Sequence, residues 1–278
     1  MSSFAYYNGT FDKKENIRIP LTDRSIFFGD AVYEAAIGCY DRILWEEEHF
    51  DRLLLSARAL EIKHPYSTKD LTEIVHEVAI KSMLKSYLIY VQLSRTHSTR
   101  KHSATECGWG LLITVDEFEP NLESPPMKLL TEEDFRYGFC NVKTVNLLPA
   151  VLASTKAENS GCDEAVFIKD GYVTECAKSN ISIIKRGRLV THPNSSRILP
   201  GITRSHLLSV CTELGIEVSE QPFTKDELFS ADEVLVTSST KLLRSVSLID
   251  NIPVGGRNKE LIHTIRRELN KDYFLFVK

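Results

Sequence analysis

Residues 119–127, EPNLESPPM, limit what this chain can fold into more than any other stretch. They hold Pro120, Pro125 and Pro126 and little that can pack, and proline offers no amide donor to a helix or to a sheet ladder. Residues 119–126 therefore read as a connection between two domains, one over 1–118 and one over 127–278. With 278 residues, 42% of them hydrophobic, the chain is long enough to bury a core in each.

Before the connection, strand and helix signals alternate. FAYYNGTF carries Asn8-Gly9, the strongest short hairpin signal, and AAIGCYDRILWEE reads as two strands meeting at a turn near Asp41-Arg42. Two helices are predicted next. In HFDRLLLSARALEI, the residues Phe50, Leu53, Leu54, Ala57 and Leu60 line one face at helical spacing. In STKDLTEIVHEVAIKSML, Ser67 and Thr68 are cap candidates, and Leu71, Ile74, Val75 and Val78 make the apolar stripe. KSYLIYVQLSR and GWGLLITVDEF return to strand character, so this half is expected to be a small mixed sheet with helices on it. Beyond the connection short strands dominate, punctuated by turns at Asp170-Gly171, Arg186-Gly187 and Asp250-Asn251. Helices are predicted near 147–160, 202–214 and 258–270, with Gly215 as a stop for the second. This half is expected to form a closed or nearly closed sheet with a few helices, which makes the whole an α+β protein.

A formal net charge of -4 and a pI near 6.1 give no electrostatic footprint for nucleic acid or for an anionic membrane surface. No apolar run approaches a membrane span, and the opening MSSFAYYNGTFDKKEN lacks the basic start and apolar core of a signal peptide, so a cytoplasmic location is expected. Cys39, Cys107, Cys140, Cys162, Cys176 and Cys211 form no C-x-x-C pair and have no flanking histidine at metal spacing. They read as reduced thiols, mostly buried, and no metal site is expected.

Four stretches carry chemistry. In FCNVKTVNLL, Phe139, Val142, Val145, Leu147 and Leu148 suggest a short buried strand running into a helix, with Lys143 inside it. A lysine there either reaches solvent or a carboxylate, or loses its proton and serves as an amine nucleophile or Schiff-base partner. ILPGITRSHLLSV places a tight bend at Pro200-Gly201 ahead of a helix, whose first amides and Thr203 hydroxyl suit a phosphate as well as an ordinary helix start. VLVTSSTKLL empties a strand into Thr237, Ser238, Ser239 and Thr240, which is either a polar loop or an anion cradle. GYVTECAKSNISII sets Glu175 at a strand end, where it caps a turn or faces a protonated ring nitrogen. Taken together, these are the parts needed to bind pyridoxal 5'-phosphate.

The order NVKTVNLLPAVLASTKAENSGCDEAVF, VTECAKSN, ILPGITR and VTSST, with FFGDAVYEAA and EHFDRL before it, closely resembles the fold-type IV pyridoxal-phosphate enzymes over nearly the whole chain. Within that family it looks closest to the D-amino acid aminotransferases. The resemblance implies a small α/β domain followed by a larger pseudo-barrel. It makes Lys143 the Schiff-base lysine and proton shuttle, and Glu175 the partner of the ring nitrogen. Arg52 would hold the phosphate with its forked guanidinium, against the alternative of a surface salt bridge within EEEHFDR. Ile202 and Thr203 would offer backbone amides to the phosphate, Ser238 and Ser239 would lie on its other side, and Leu199 would pack on the ring. The Arg-x-His spacing of Arg100 and His102, completed by Tyr33, resembles the family's trap for a substrate α-carboxylate, which reaches the active site from the neighbouring subunit. The implied partners are amino acid and 2-oxo acid substrates and a second copy of the chain.

Three departures bear on substrate choice. Cys176-Ala177-Lys178 stands where D-amino acid aminotransferases usually carry a small Gly/Ser run, and Ala35 and Ile37 replace the more usual valine and lysine. Rival expectations within the fold are a 4-amino-4-deoxychorismate lyase, a branched-chain L-aminotransferase and an (R)-selective amine transaminase. A non-catalytic carrier of the cofactor is the rival from another class.

Overall fold

The computed structural model of the protein describes residues 3–97 and 99–277. The chain divides into two compact units, one of Met1–Pro120, Val142–Asn146 and Phe276–Lys278, the other of Asn121–Asn141 and Leu147–Leu275.

In the first unit β1 (Phe4–Tyr7) and β2 (Thr10–Lys13) form a hairpin whose turn residues Asn8 and Gly9 both have positive φ, the backbone that matches strand twist. The short α1 (Ser25–Phe28) precedes β3 (Ala31–Cys39) and β4 (Arg42–Ile43), which meet across Tyr40 and Asp41. Then come α2 (Glu46–Ala59), α3 (Thr68–Ser82), β5 (Ser86–Thr96) and β6 (Gly108–Glu117). The strand order is β2-β1-β6-β5-β3-β4. Every pairing described in it is antiparallel, where a mixed sheet was expected, because the two-helix excursion returns the chain in the reverse direction and no parallel crossover arises.

Helices α2 and α3 cover one face of this sheet. Phe50, Leu53 and Ala57 of α2 and Leu71, Val75 and Val78 of α3 share a buried cluster with Val32, Ile89, Val91, Leu111 and Ile113, whereas Leu54, Leu60 and Ile74 sit at its margin. A fully buried leucine or phenylalanine contributes about 1.5–3 kcal/mol. Ser67, not Thr68, caps α3, in a reciprocal capping box with Asp70. Opposite Gly38 on β5 lies Tyr87, whose ring takes the space a Cβ at Gly38 would need.

The segment Val142–Asn146 lies along β3 without forming the expected strand, and the chain then runs into a helix at Leu148 as expected. The segment makes one bridge, Thr144 with Val32, and two backbone bonds, Tyr33 N to Lys143 O at 2.9 Å and Val145 N to Ala31 O at 3.2 Å. Only Val142 joins the core, while Phe139, Leu147 and Leu148 are exposed. The apolar residues of this stretch therefore do not share one buried face, and the pairing ends after a single bridge.

The second unit opens with β7 (Met127–Glu133), α4 (Leu148–Asn159), β8 (Glu164–Lys169), β9 (Tyr172–Cys176), β10 (Asn180–Lys185) and β11 (Arg188–Thr191). It continues with α5 (Ile202–Glu213), β12 (Val218–Glu220), α6 (Lys225–Ser230), β13 (Glu233–Ser238), β14 (Leu242–Ile249), β15 (Ile252–Pro253) and α7 (Lys259–Phe276). The sheet runs β12-β11-β10-β13-β14-β7-β8-β9, with β15 added beside β14, and is a curled half-barrel. All three predicted turns have two positive-φ residues and join paired strands. Gly215 ends α5 with φ 72, donating to Thr212 O while Ile216 N reaches back to Cys211 O, a Schellman closure. The final helix extends past the predicted 270 to Phe276, and α6 was not predicted. All six cysteines are free, but only Cys39, Cys176 and Cys211 are buried, so burial extends to half of them. Among the described residues no helix is long and apolar enough to cross a membrane.

Candidate active site

The singled-out residues fall into a set in each unit. In the first, Lys143 is half-buried, its amide donates to Ser56 Oγ at 3.3 Å, and its Nζ stands 4.2 Å from the centre of the Tyr33 ring. At the end of the same segment Asn146 donates to Gly29 O at 3.0 Å. Gly29 has φ 59, and a Cβ there would meet Asn146 Oδ1 at 2.4 Å, so glycine is required both by backbone conformation and by the close approach. The lysine is thus placed by backbone bonds on both sides.

Arg52 is not a surface residue pairing within its own helix. Its Nε and Nη2 donate to the two oxygens of Glu34 on β3, at 2.7 and 2.9 Å, and His49 Nδ1 lies 2.7 Å from Glu34 Oε2. Burial by itself would raise the Glu34 carboxyl, yet Arg52 and His49 outweigh it and hold the group at about 2. Burial lowers His49. A buried carboxylate thus fixes the plane of the Arg52 guanidinium, which a helix neighbour in water would not do.

Arg100 and His102 come together in the exposed loop between β5 and β6. The Arg100 guanidinium lies 4.9 Å from the centre of the Phe28 ring, and the His102 ring meets Phe28 edge-on at 5.3 Å. Arg24 pins this loop from below, donating to Lys101 O and, at 3.1 Å, to His102 O while its Nε holds Asp30 at 2.7 Å. Tyr33 is instead stacked on Tyr90, with centroids 5.2 Å apart. Of the departures, Ile37 is buried and Ala35 half-buried.

In the second unit Glu175 is buried near the end of β9 and is held by three donors. Arg136 Nη1 bonds Oε1, and Oε2 accepts from Asn180 Nδ2 at 2.9 Å and from Leu199 N at 3.1 Å. Asn180 also donates to Leu199 O at 2.8 Å, so one amide ties the carboxylate to the ILPG bend. Asp134 takes the other edge of Arg136 at 2.9 and 2.8 Å. Burial pushes the Glu175 carboxyl up to about 7 against the guanidinium and the amide, whereas Arg136 is driven further into its charged form because its two carboxylates outweigh its own desolvation. With both acids ionised, two negative charges face one positive charge. A cationic N–H at Glu175 would balance them.

Helix α5 starts at Ile202 with no side-chain cap on Gly201, which leaves its first amides available to an acceptor. Thr203 and Thr237 are buried, and neither hydroxyl has a partner among the described residues. A buried orphan hydroxyl is costly unless a ligand completes it. Ser238 and Ser239 follow Thr237, half-buried, at the end of β13. Lys178 is exposed, its amide donating to Glu164 at 2.8 Å, and Lys241 pairs with the buried Glu164 at 2.6 Å. The orphan hydroxyls, the uncapped helix start and the missing positive charge fit a phosphorylated pyridine.

The fold is that of the fold-type IV aminotransferases. The class IV aminotransferase family, Amino-transferase class IV, matches residues 32–249, and the chain belongs to that family, whose cofactor is pyridoxal phosphate. The chain is 34% identical to the D-alanine aminotransferase of Bacillus licheniformis, an alignment covering 90% of this chain and 89% of that one. The branched-chain amino acid aminotransferase from Escherichia coli superposes with a TM-score of 0.87 at 24% identity, over 99% of this chain and 94% of that one. A protein from Legionella pneumophila provisionally assigned as a 4-amino-4-deoxychorismate lyase gives 0.85 at 28% identity, over 93% and 97%.

Sequence reasoning missed Arg136, Asn180, Glu34 and Arg24. Asn180 lies within the quoted CAKSN stretch and Arg136 two residues from Asp134 in DFR, but neither spacing marks a partner far along the chain.

Proposed function

We propose that the protein transaminates D-amino acids to 2-oxo acids, with a second 2-oxo acid as acceptor. The observation that carries this is the Arg100–His102 pair: a guanidinium and an imidazole share one aromatic ring, on a loop that Arg24 pins, and together offer donors to one carboxylate. The D-alanine aminotransferase name of the Bacillus licheniformis relative supports the same substrate class.

Pyridoxal phosphate, when bound, supplies the electron sink that weakens the Cα–H bond of an amino acid. Lys143 would hold the cofactor through Nζ and, once an amino donor has displaced it, would take up and return the Cα proton on that free amine. Glu175 would accept the ring N–H, and Leu199 would pack on the ring. Arg52, the amides of Ile202 and Thr203, and Ser238 and Ser239 would hold the phosphate. Arg100, His102 and Tyr33 bind the substrate α-carboxylate and thereby choose which face of Cα meets Lys143. The working unit is a homodimer in which the Arg100–His102 loop serves the partner copy. Its support is that the Arg100 and His102 side chains are exposed while Tyr33 of the same chain has Tyr90 and Lys143 as its neighbours.

The test is the visible absorption of the cofactor-loaded enzyme before and after adding D-alanine or, separately, L-leucine. Loss of the band with D-alanine alone, restored by 2-oxoglutarate, is expected. A response to L-leucine alone would replace this proposal with the branched-chain one, and no response to either would favour the lyase or the carrier. Lys143→Ala should lower turnover by about 10²–10⁴-fold or more, and wild-type turnover in that variant would sink the proposal.

A further inference from the structure

Arg136 lies outside the four stretches read for chemistry, yet its guanidinium is bonded along both edges. Its side chain is 13% exposed. Nε and Nη2 grip both oxygens of Asp134, Nη2 also reaches Arg197 O at 3.0 Å, and Nη1 bonds Glu175 Oε1. Beneath it the buried ring of Phe167 lies 4.6 Å from the guanidinium carbon. Asp134 is in turn held by Thr174 Oγ1 at 2.8 Å and by the Arg136 amide at 3.1 Å. Asp134 occupies one edge of the planar fork and Phe167 one face, and Nη1 on the other side of the fork is held against Glu175. A surface ion pair has no reason to be triply restrained in this way.

We propose that Arg136 is a positioning residue for Glu175, fixing the negative charge on that carboxylate so that the proton shared with the cofactor's ring nitrogen stays on nitrogen. This rests on the proposed role of Glu175 as the ring-nitrogen partner. Two arrangements of that proton compete: a carboxylic acid beside a neutral nitrogen, and a carboxylate beside N–H⁺. Desolvation favours the first, since it buries no charge. A guanidinium bonded to Oε1 favours the second, by direct attraction and by occupying the oxygen in its unprotonated form. Asn180 and the Leu199 amide add neutral donors to the other oxygen, but only Arg136 brings a full charge. Asp134 offsets part of that charge and sets its direction.

The test loads pyridoxal phosphate labelled with nitrogen-15 in the ring into wild type, Arg136→Met, Arg136→Lys and Glu175→Gln, and reads the ring-nitrogen chemical shift between pH 6 and 8. Wild type is expected at the protonated position throughout. Arg136→Met should move toward the neutral position, with kcat down about 10–100-fold, the effect of one hydrogen-bonded charge, and KM for the donor within about twofold. Arg136→Lys, which keeps the charge, should restore the shift at least in part. A protonated shift in Arg136→Met overturns the proposal. Should that variant fail to bind cofactor, a neutral shift in a loaded Arg136→Lys would overturn it as well. Glu175→Gln separates the two levels: an unchanged shift there refutes the role of Glu175 itself, whereas a changed shift in Glu175→Gln with none in Arg136→Met refutes only the role of Arg136.

Discussion

Replacing Gly201 by alanine tests whether the bend before α5 is built around Asn180. The glycine has φ -69 and ψ 133, a backbone any residue adopts, so alanine meets no conformational penalty and should gain about 0.4–1 kcal/mol by restricting the unfolded chain. Packing decides otherwise. A Cβ at Gly201 would stand 1.9 Å from Asn180 Oδ1 and 3.1 Å from its Cγ, so the amide must move by more than an ångström. Asn180 is 6% exposed and donates to both Glu175 Oε2 and Leu199 O. Displacing it forfeits one bond to a charged acceptor and one to a carbonyl, together about 2–4 kcal/mol. The net expectation is a destabilisation of about 1–3 kcal/mol, read as a lower urea midpoint at constant slope. Because the loss runs through Asn180, the same substitution made in an Asn180→Ala background should lose most of its cost, a coupling a double-mutant cycle measures directly. A neutral or stabilising Gly201→Ala, or an undiminished cost in the Asn180→Ala background, would refute the reasoning.

Glu34→Gln should cost about 3–5 kcal/mol, because it removes the buried negative charge that faces the Arg52 guanidinium; urea unfolding at neutral pH measures it. The pH dependence has a definite sign. The Glu34 carboxyl is held at about 2, below its ordinary 4.5, so its stabilisation, on the order of 3 kcal/mol, is present above pH 4.5 and lost as pH falls toward 2. The variant should lack that part of the acid slope. Gly38→Ala drives a Cβ to 1.9 Å from the Tyr87 ring, in the antiparallel pairing of β3 with β5, and should cost about 1–3 kcal/mol by overpacking. A thermal midpoint equal to wild type would contradict the close approach. Arg24→Met removes two donors from the backbone of the Arg100–His102 loop and should raise the amino-donor KM about tenfold while the cofactor spectrum is unchanged. An unaltered KM would detach the loop from substrate binding.

Local chemistry made much of this molecule legible. Asn8-Gly9, Asp170-Gly171, Arg186-Gly187 and Asp250-Asn251 each took the two positive-φ residues that a tight hairpin demands, and Gly215 ended α5 where a left-handed residue was needed. Such features depend on neighbours within a few residues, so they are written in the order of the chain. The unpredicted α6 was legible too, since Thr224 and Glu227 form a capping box at the expected spacing. The misjudged elements were those whose burial a short window cannot report. FCNVKTVNLL carries apolar residues at Phe139, Val142, Val145, Leu147 and Leu148, but only Val142 is buried while Phe139, Leu147 and Leu148 are exposed.

The sequence by itself determined where the chain turns, which faces of α2 and α3 are apolar, and, through its resemblance to a family, which residues to examine for chemistry. The tertiary structure decided their partners. Arg136 meets Glu175 across 39 residues, Arg52 meets Glu34 across 18, and Arg24 meets the carbonyl of Lys101 across 77. No periodicity spans such distances. A charged side chain selects its partner by where folding leaves an unmatched charge out of reach of water, and that position exists only once the sheets have formed.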